Sequence, residues 1–267
     1  MFVSGDRGYE MYTLSVCADT VFLGLPFVER VKKITASGLQ AEFWNWKARD
    51  IEAIASDPDI HVTAFTGYLK GCMVHPDGVK DFLAGIEDSV TIAKRLNCNL
   101  LMLSSGELDA KGQVSHRIAD HPAVRWITAY KTLCQIADIA EKYDVTYALE
   151  HLNNKVDHPG FPFRLVEDVL NLVAQVGSPR IKVLFDVYHA QVEQGNVVEA
   201  IKRCRNYIGH VHVADVPGRH EPGTGELNYP LIAKTFREIE YEGAIGLEAF
   251  PMSDGEEAIR RFRETFL

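Results

Sequence analysis

The chain has 267 residues, 46% of them hydrophobic, and a formal net charge of −9. This length buries a sizeable core and suits a single α/β barrel, and no apolar run reaches the ~18–20 residues of a membrane span. The acidic balance leaves no broad basic patch, which argues against a binder of the nucleic-acid backbone.

β-like and α-like patterns alternate along the chain without a long linker. Residues 12–22 read as a first strand and its loop, and 27–38 have helical apolar spacing that stops at Gly38. A second strand is expected over 39–46, a short helix over 48–56 and a third strand over 60–68. The long amphipathic helix 79–98 precedes a fourth strand at 99–106, and 121–143 is another long helix. The second half repeats the rhythm. Strands are expected at 145–152, 181–189, 210–215 and 244–250, and helices at 163–176, 196–204, 229–243 and 254–266. Eight strands alternating with helices imply parallel pairing through right-handed crossovers. Near-continuous apolar strands such as LLML and KVLF fit a sheet covered by helices outside and filled inside. The reading is a single-domain (β/α)8 TIM barrel over 1–267, favoured over an open doubly wound sheet because eight evenly sized units span ~250 residues.

The N-terminal stretch MFVSGDRGYEMYTL carries charges where a secretory leader needs an apolar core, so the protein is expected in the cytoplasm. Its five cysteines, Cys17, Cys72, Cys98, Cys134 and Cys204, show no C-x-x-C spacing and read as reduced, mostly buried thiols. The loop VPGRHEPGTGELN (216–228) is dense in Gly and Pro. Gly223 and Gly225 have no third glycine to complete a dinucleotide fingerprint, and no helix follows directly. The loop reads as an active-site loop after strand seven, carrying Arg219.

Four apolar runs each end near a metal-type ligand: VTYALE at Glu150, IKVLFD at Asp186, HVHVAD carrying His212, and GAIGLE at Glu248. Each interval is about one strand–helix unit, so neighbouring parallel strands would bring the four side chains to one end of the barrel. Carboxylates at the ends of apolar strands are costly unless paired or metal-bound. Any one of them alone reads as a salt bridge or a helix N-cap. Three together with an imidazole suit one hard divalent cation, with manganese or magnesium ahead of cobalt or zinc. His210 shares the face of His212 a layer deeper and reads as a core histidine. Three ionised carboxylates around a divalent ion leave a surplus negative charge that can act as a base. Glu150 and Glu248 are the natural acid/base pair for moving a proton between adjacent carbons through an enediolate.

The segments LEHLN (149–153), FDVYH (185–189), HVHVADVPGRHEPGTGELNYP (210–230) and GLEAF (246–250) resemble the hydroxypyruvate isomerase group of the xylose isomerase-like barrels. The resemblance covers nearly the whole chain and is clearest from 145 to 250. It implies a metal-dependent isomerase with Glu150, Asp186, His212 and Glu248 as ligands and the two glutamates as acid and base. It also implies substrate contacts from His189 and Arg219. Two positions depart from the group's pattern: His212 stands where Gln is usual, as in the related epimerases, and His151 stands where Pro is usual.

Arg219 has a planar fork suited to a carboxylate or vicinal oxygens, against the plainer reading of a solvated loop residue. Asn153 is a candidate substrate contact or a loop cap. Glu42, Trp44 and Trp46 close strand two, where the aromatics would line a pocket or pack under the rim. Asp215 is expected only to orient a neighbour, and Ser104 and Ser105 to be polar pocket contacts. A small hydroxy-carbonyl or sugar substrate is expected, with no nucleic-acid or membrane partner and with homo-oligomerisation left open. The alternatives are a ketose 3-epimerase, a 2-oxo-tetronate isomerase, a keto-inositol dehydratase, a non-catalytic sugar-binding barrel and an endonuclease IV-like phosphodiesterase. The last would need more histidine ligands and a basic groove.

Overall fold

The computed structural model describes residues 12–109, 111–115 and 120–267. Residues 1–11 of the stretch read above for a leader lie outside the described residues. Eight parallel strands close into a barrel in chain order. The first half runs β1 (Thr13–Cys17), α1 (Phe27–Ala36), β2 (Gln40–Phe43), α2 (Ile51–Ala55), β3 (Val62–Thr66), α3 (Pro76–Leu96), β4 (Leu100–Ser104) and α4 (Pro122–Tyr143). The second runs β5 (Thr146–Glu150), α5 (Val166–Val176), β6 (Ile181–Asp186), α6 (Val187–Glu193), α7 (Val197–Cys204), β7 (Ile208–Val213), α8 (Tyr229–Glu238), β8 (Ala244–Leu247) and α9 (Gly255–Phe266). The seam is parallel too, with Ser15 of β1 opposite Gly246 of β8. Among the described residues, no helix is long and apolar enough to cross a membrane, and all five cysteines are free.

The long helices carry local start and stop signals. α3 and α4 each open with a histidine whose Nδ1 accepts a backbone N–H, followed by a proline in the first turn. Each ends on a left-handed residue, Asn97 or Asp144.

Strand residues alternate between two environments. Leu101, Leu103, Tyr147, Leu149, Val183 and Phe185 join the large core between sheet and helices. Their neighbours Met102, Ala148 and Leu184 form a separate small cluster with Ala64 inside the barrel. That cluster comes from β3 to β6. On β7, β8, β1 and β2 the buried neighbours are polar or lack a side chain: His210, Gly246, Ser15 and Glu42. The barrel interior is thus apolar on one side and hydrogen-bonded on the other.

The reading of 181–189 as one strand is corrected at its end. β6 stops at Asp186, whose Oδ1 accepts the His189 N–H at 2.8 Å and caps α6. VYHA continues the apolar run of the strand, so periodicity alone does not mark the change.

Candidate active site

Glu150, Asp186, His212 and Glu248 converge at the C-terminal mouth of the barrel. Register explains why. Asp186 lies opposite His212 across β6 and β7, and Glu248 directly follows β8, its N–H bonded to Val213 at 3.2 Å. His212 Nδ1 stands 3.5 Å from Glu150 Oε1 and 3.5 Å from Glu248 Oε2. Donor atoms of Glu150, Asp186, His189 and Glu248 all lie within 4.8 Å of one another. A second set with the same compactness, Glu42, His210 and His212, sits beneath them.

The two glutamates have different surroundings. Glu248 accepts the Trp44 indole N–H on Oε1 at 2.5 Å, and its Oε2 pairs with Arg219. Glu150 Oε1 is buried with no hydrogen-bond partner. Burial, with Glu248 nearby, raises the Glu150 carboxyl against the pull of His212 and Arg219. Burial also pushes Asp186 up to about 8, with Glu150 and Glu248 adding to it and Arg219 opposing. For His212, burial favours the neutral ring, but the charges of Glu248 and Glu42 outweigh it and raise the imidazole well above its usual range. Three crowded carboxylates and unpartnered buried atoms on Glu150 and His212 are the donor set that a hard divalent cation would relieve.

His189 is held differently. Asn153 Oδ1 accepts the backbone N–H groups of Val156 and Asp157, each at 3.0 Å, which fixes the orientation of its amide. Its Nδ2 therefore donates, to Asp157 Oδ2 at 2.6 Å and to His189 Nδ1 at 2.7 Å. The His189 proton then sits on Nε2, the ring nitrogen left without a hydrogen-bond partner, 3.9 Å from Asp186 Oδ2. Burial and Arg219 keep this ring neutral by lowering its proton affinity. A nitrogen carrying a proton donates to an oxygen and has no lone pair for a metal. The fully buried Asn153 stands behind His189, with its amide spent on His189, Asp157 and two backbone groups.

Arg219 reaches over the same point. Its Nη2 pairs with Glu248 and lies 3.8 Å from Asp186 Oδ2, and its guanidinium lies over the Tyr188 ring at 5.1 Å. The loop that carries it is organised by Asp215. Asp215 Oδ1 accepts Val216 N at 2.9 Å and Leu227 N at 3.1 Å, and Oδ2 accepts Gly223 N at 2.9 Å. A Cβ at Gly225 would stand 2.1 Å from Val216 O, so the loop closes on itself only with glycine there. Ser104 bonds to Tyr68 and Gly106, and Ser105 accepts Phe163 N, which ties both serines to neighbouring loops.

Two contributions lie outside the sequence reading. Trp44 is more than a rim aromatic, since its N–H holds one oxygen of Glu248. Glu42 is fully buried below the site, with Oε2 accepting from Ser15 Oγ at 2.9 Å and lying 2.8 Å from His210 Nε2. The available signal was an ionisable residue inside the apolar run LQAEF, on the same strand face as Trp44.

An eight-stranded parallel barrel with functional side chains gathered at its C-terminal mouth defines a class, the TIM-barrel enzymes. The chain matches the xylose isomerase-like TIM barrel family over residues 19–265 and belongs to that family. It is 29% identical over 191 residues to hydroxypyruvate isomerase of Escherichia coli strain K12, covering 72% of this chain and 70% of the relative. It is 30% identical over 189 residues to 2-oxo-tetronate isomerase of Pectobacterium atrosepticum, covering 71% and 69%. Among solved structures, that of an AP endonuclease, family 2, from Brucella melitensis superposes with a TM-score of 0.85 at 24% identity. It covers 95% of this chain and 98% of the other, a likeness of fold.

Proposed function

We propose that the protein is a divalent-metal-dependent isomerase. It moves a hydrogen between adjacent carbons of a small hydroxy-carbonyl compound of the hydroxypyruvate and tartronate semialdehyde type. The observation that carries this reading is the pair Glu150 and Glu248, each 3.5 Å from the same nitrogen of His212 and close to Asp186. Those four residues would hold the cation, manganese or magnesium by the preponderance of oxygen donors. When bound, the ion supplies a Lewis acid that polarises the substrate carbonyl.

Hydroxypyruvate and tartronate semialdehyde differ by one hydrogen on C3 or C2 and one hydroxyl hydrogen on O3 or O2. Burial raises the proton affinity of Glu150, which suits it to hand a proton on. Glu248 takes a proton from C3 and Glu150 returns one to C2, while the hydroxyl proton passes from O3 to O2 within the enediolate, and the roles exchange in the reverse direction. His189 Nε2–H donates to a substrate oxygen. The Arg219 fork takes the substrate carboxylate in exchange for its contact with Glu248. A four-carbon 2-oxo acid would lengthen the substrate and keep that contact. Five unpaired cysteines support a reducing, cytoplasmic setting.

A second reading, epimerisation at C3 of a ketose, is favoured by one residue, the histidine at 212. The same two glutamates would then serve one carbon from opposite sides. Solvent-deuterium exchange with added manganese, run over three- to six-carbon hydroxy-carbonyl compounds, separates these readings. Label entering hydroxypyruvate supports the isomerase, and label confined to C3 of a ketose supports the epimerase. No exchange into any compound by the metal-loaded protein would sink both.

A further inference from the structure

Two compact donor sets lie at the mouth, and His212, a member of the lower one, turns its Nδ1 toward two glutamates of the upper one. The upper set opens onto the barrel mouth. The lower one, Glu42 with His210 and His212, is closed off, with all three residues at or below 1% exposure. Its internal contacts are made on one carboxylate oxygen only. Ser15 and His210 both address Oε2 of Glu42, at 2.9 and 2.8 Å. Oε1 is left over, and it lies 3.1 Å from His212 Nε2, off the line of a hydrogen bond. The other nitrogen of that ring, Nδ1, faces Glu150 and Glu248. The rings of His210 and His212 meet edge-on, 4.9 Å apart at 79°, which restricts rotation of either.

The fold makes room for this carboxylate at one place. Gly246, on the neighbouring side of the barrel interior, has no side chain. A Cβ there would stand 2.2 Å from Glu42 Oε1 and 2.6 Å from Oε2. No side chain fits beside the carboxylate where it now sits.

We infer that Glu42 is the positioning residue for His212: its Oε1 takes the Nε2–H of the ring, so that Nδ1 turns its lone pair to the cation site, while Ser15, His210 and the space at Gly246 hold the carboxylate in place. A histidine ligand whose far nitrogen donates to a carboxylate is fixed in both tautomer and angle, and loss of such a partner lowers metal affinity by roughly 10–100-fold. The inference deepens the reading of the upper set as a cation site and rests on it. It also separates the two histidines at the mouth. His212, with a carboxylate behind it, presents a lone pair, and His189, with an amide donor behind it, presents a proton.

The test is manganese titration of the whole chain by calorimetry, with metal content by mass spectrometry and thermal melting as the check of folding. Wild type should bind one ion per chain, and Glu42→Gln should bind it roughly 10–100-fold more weakly while still folded. Glu42→Asp, which keeps the charge on a shorter arm, should fall between. In a His212→Ala background, Glu42→Gln should cost nothing further, because the effect runs through the ring. In the magnesium-loaded protein, the exchange-protected Nε2–H resonance of ¹⁵N-labelled His212 should disappear in Glu42→Gln. Gly246→Ala is an independent route to the same weakening with Glu42 present, should the buried substitutions not fold. Unchanged affinity in folded Glu42→Gln, or an equal loss in the His212→Ala background, would overturn the inference and leave the cation site standing. No binding by wild type would overturn the reading of the site itself. Two ions per chain, one of them lost in Glu42→Gln, would make the lower set a metal site in its own right and overturn the positioning role.

Discussion

At the residue scale, the site is built from side chains whose free atoms are set by what holds their other atoms. Asp186 spends Oδ1 on capping α6 and keeps Oδ2 for the mouth. Glu248 is held by Trp44 and Arg219, whereas Glu150 Oε1 has no hydrogen-bond partner. If these two are base and acid, Glu150→Gln and Glu248→Gln should each lower turnover by at least ~100-fold while the fold persists. Metal content measured alongside separates lost chemistry from a lost ligand, and near-normal proton exchange in a metal-loaded variant would end the two-glutamate account. Arg219 gives a second comparison. Arg219→Lys should lower kcat/KM strongly on hydroxypyruvate and mildly on a ketohexose, since an ammonium does not reproduce the bidentate fork on a carboxylate. Equal, unchanged values on both would return Arg219 to the status of a loop cation. The sequence exposed the four mouth residues because Glu150, Asp186 and Glu248 end apolar runs and His212 lies within another. It placed Trp44 and Glu42 at the end of strand two but not their roles, because Glu248 and His210 lie far away in sequence. The Trp44–Glu248 contact spans 204 residues, and no local pattern encodes it.

At the scale of elements, the strands and long helices were legible from periodicity, and α6 was not. VYHA reads as the continuation of β6, and the break comes from a cap supplied by Asp186, a residue whose placement at a strand end first suggests a ligand. The 216–228 loop was legible as special through its glycines and prolines, but not the means of its closure. Asp215 holds three backbone N–H groups of that loop from beneath. Asp215→Ala should remove three part-buried hydrogen bonds, at about 0.5–1.5 kcal/mol each. The expected result is a lower Tm together with a raised KM, as Arg219 loses its place over the mouth. A variant with normal Tm and normal KM would show that the loop is held by its glycines and prolines alone.

At the scale of the molecule, the barrel accepts buried imidazoles, and acid is expected to destabilise it for that reason. His151 is wholly buried, both ring nitrogens lack partners, and its edge meets Phe185 at 5.6 Å. Burial lowers its pKa to about 3 from the usual 6.5. Above pH 6.5 the ring is neutral in both states and contributes nothing to the pH dependence. Below 6.5 the unfolded chain takes up the proton first, so stability falls with pH until about 3, by at most ~1.4 kcal/mol per pH unit. His151→Leu should therefore unfold at a lower pH in an acid titration followed by circular dichroism, with little change at pH 7. An identical acid midpoint would show that His151 does not govern the transition; His189 is lowered in the same direction and is the next group to vary. The closed eight-strand order was legible because every unit has similar length, whereas the division of the interior into apolar and hydrogen-bonded sides was not, since it depends on which strands meet across the seam. That seam has a consequence for synthesis. The mouth carboxylates and His212 all come from β5 onwards, and the space for Glu42 is at Gly246 on the last strand. If the mouth holds the proposed cation, a ribosome must release nearly the whole chain before that pocket can form, and ion capture would report a finished molecule.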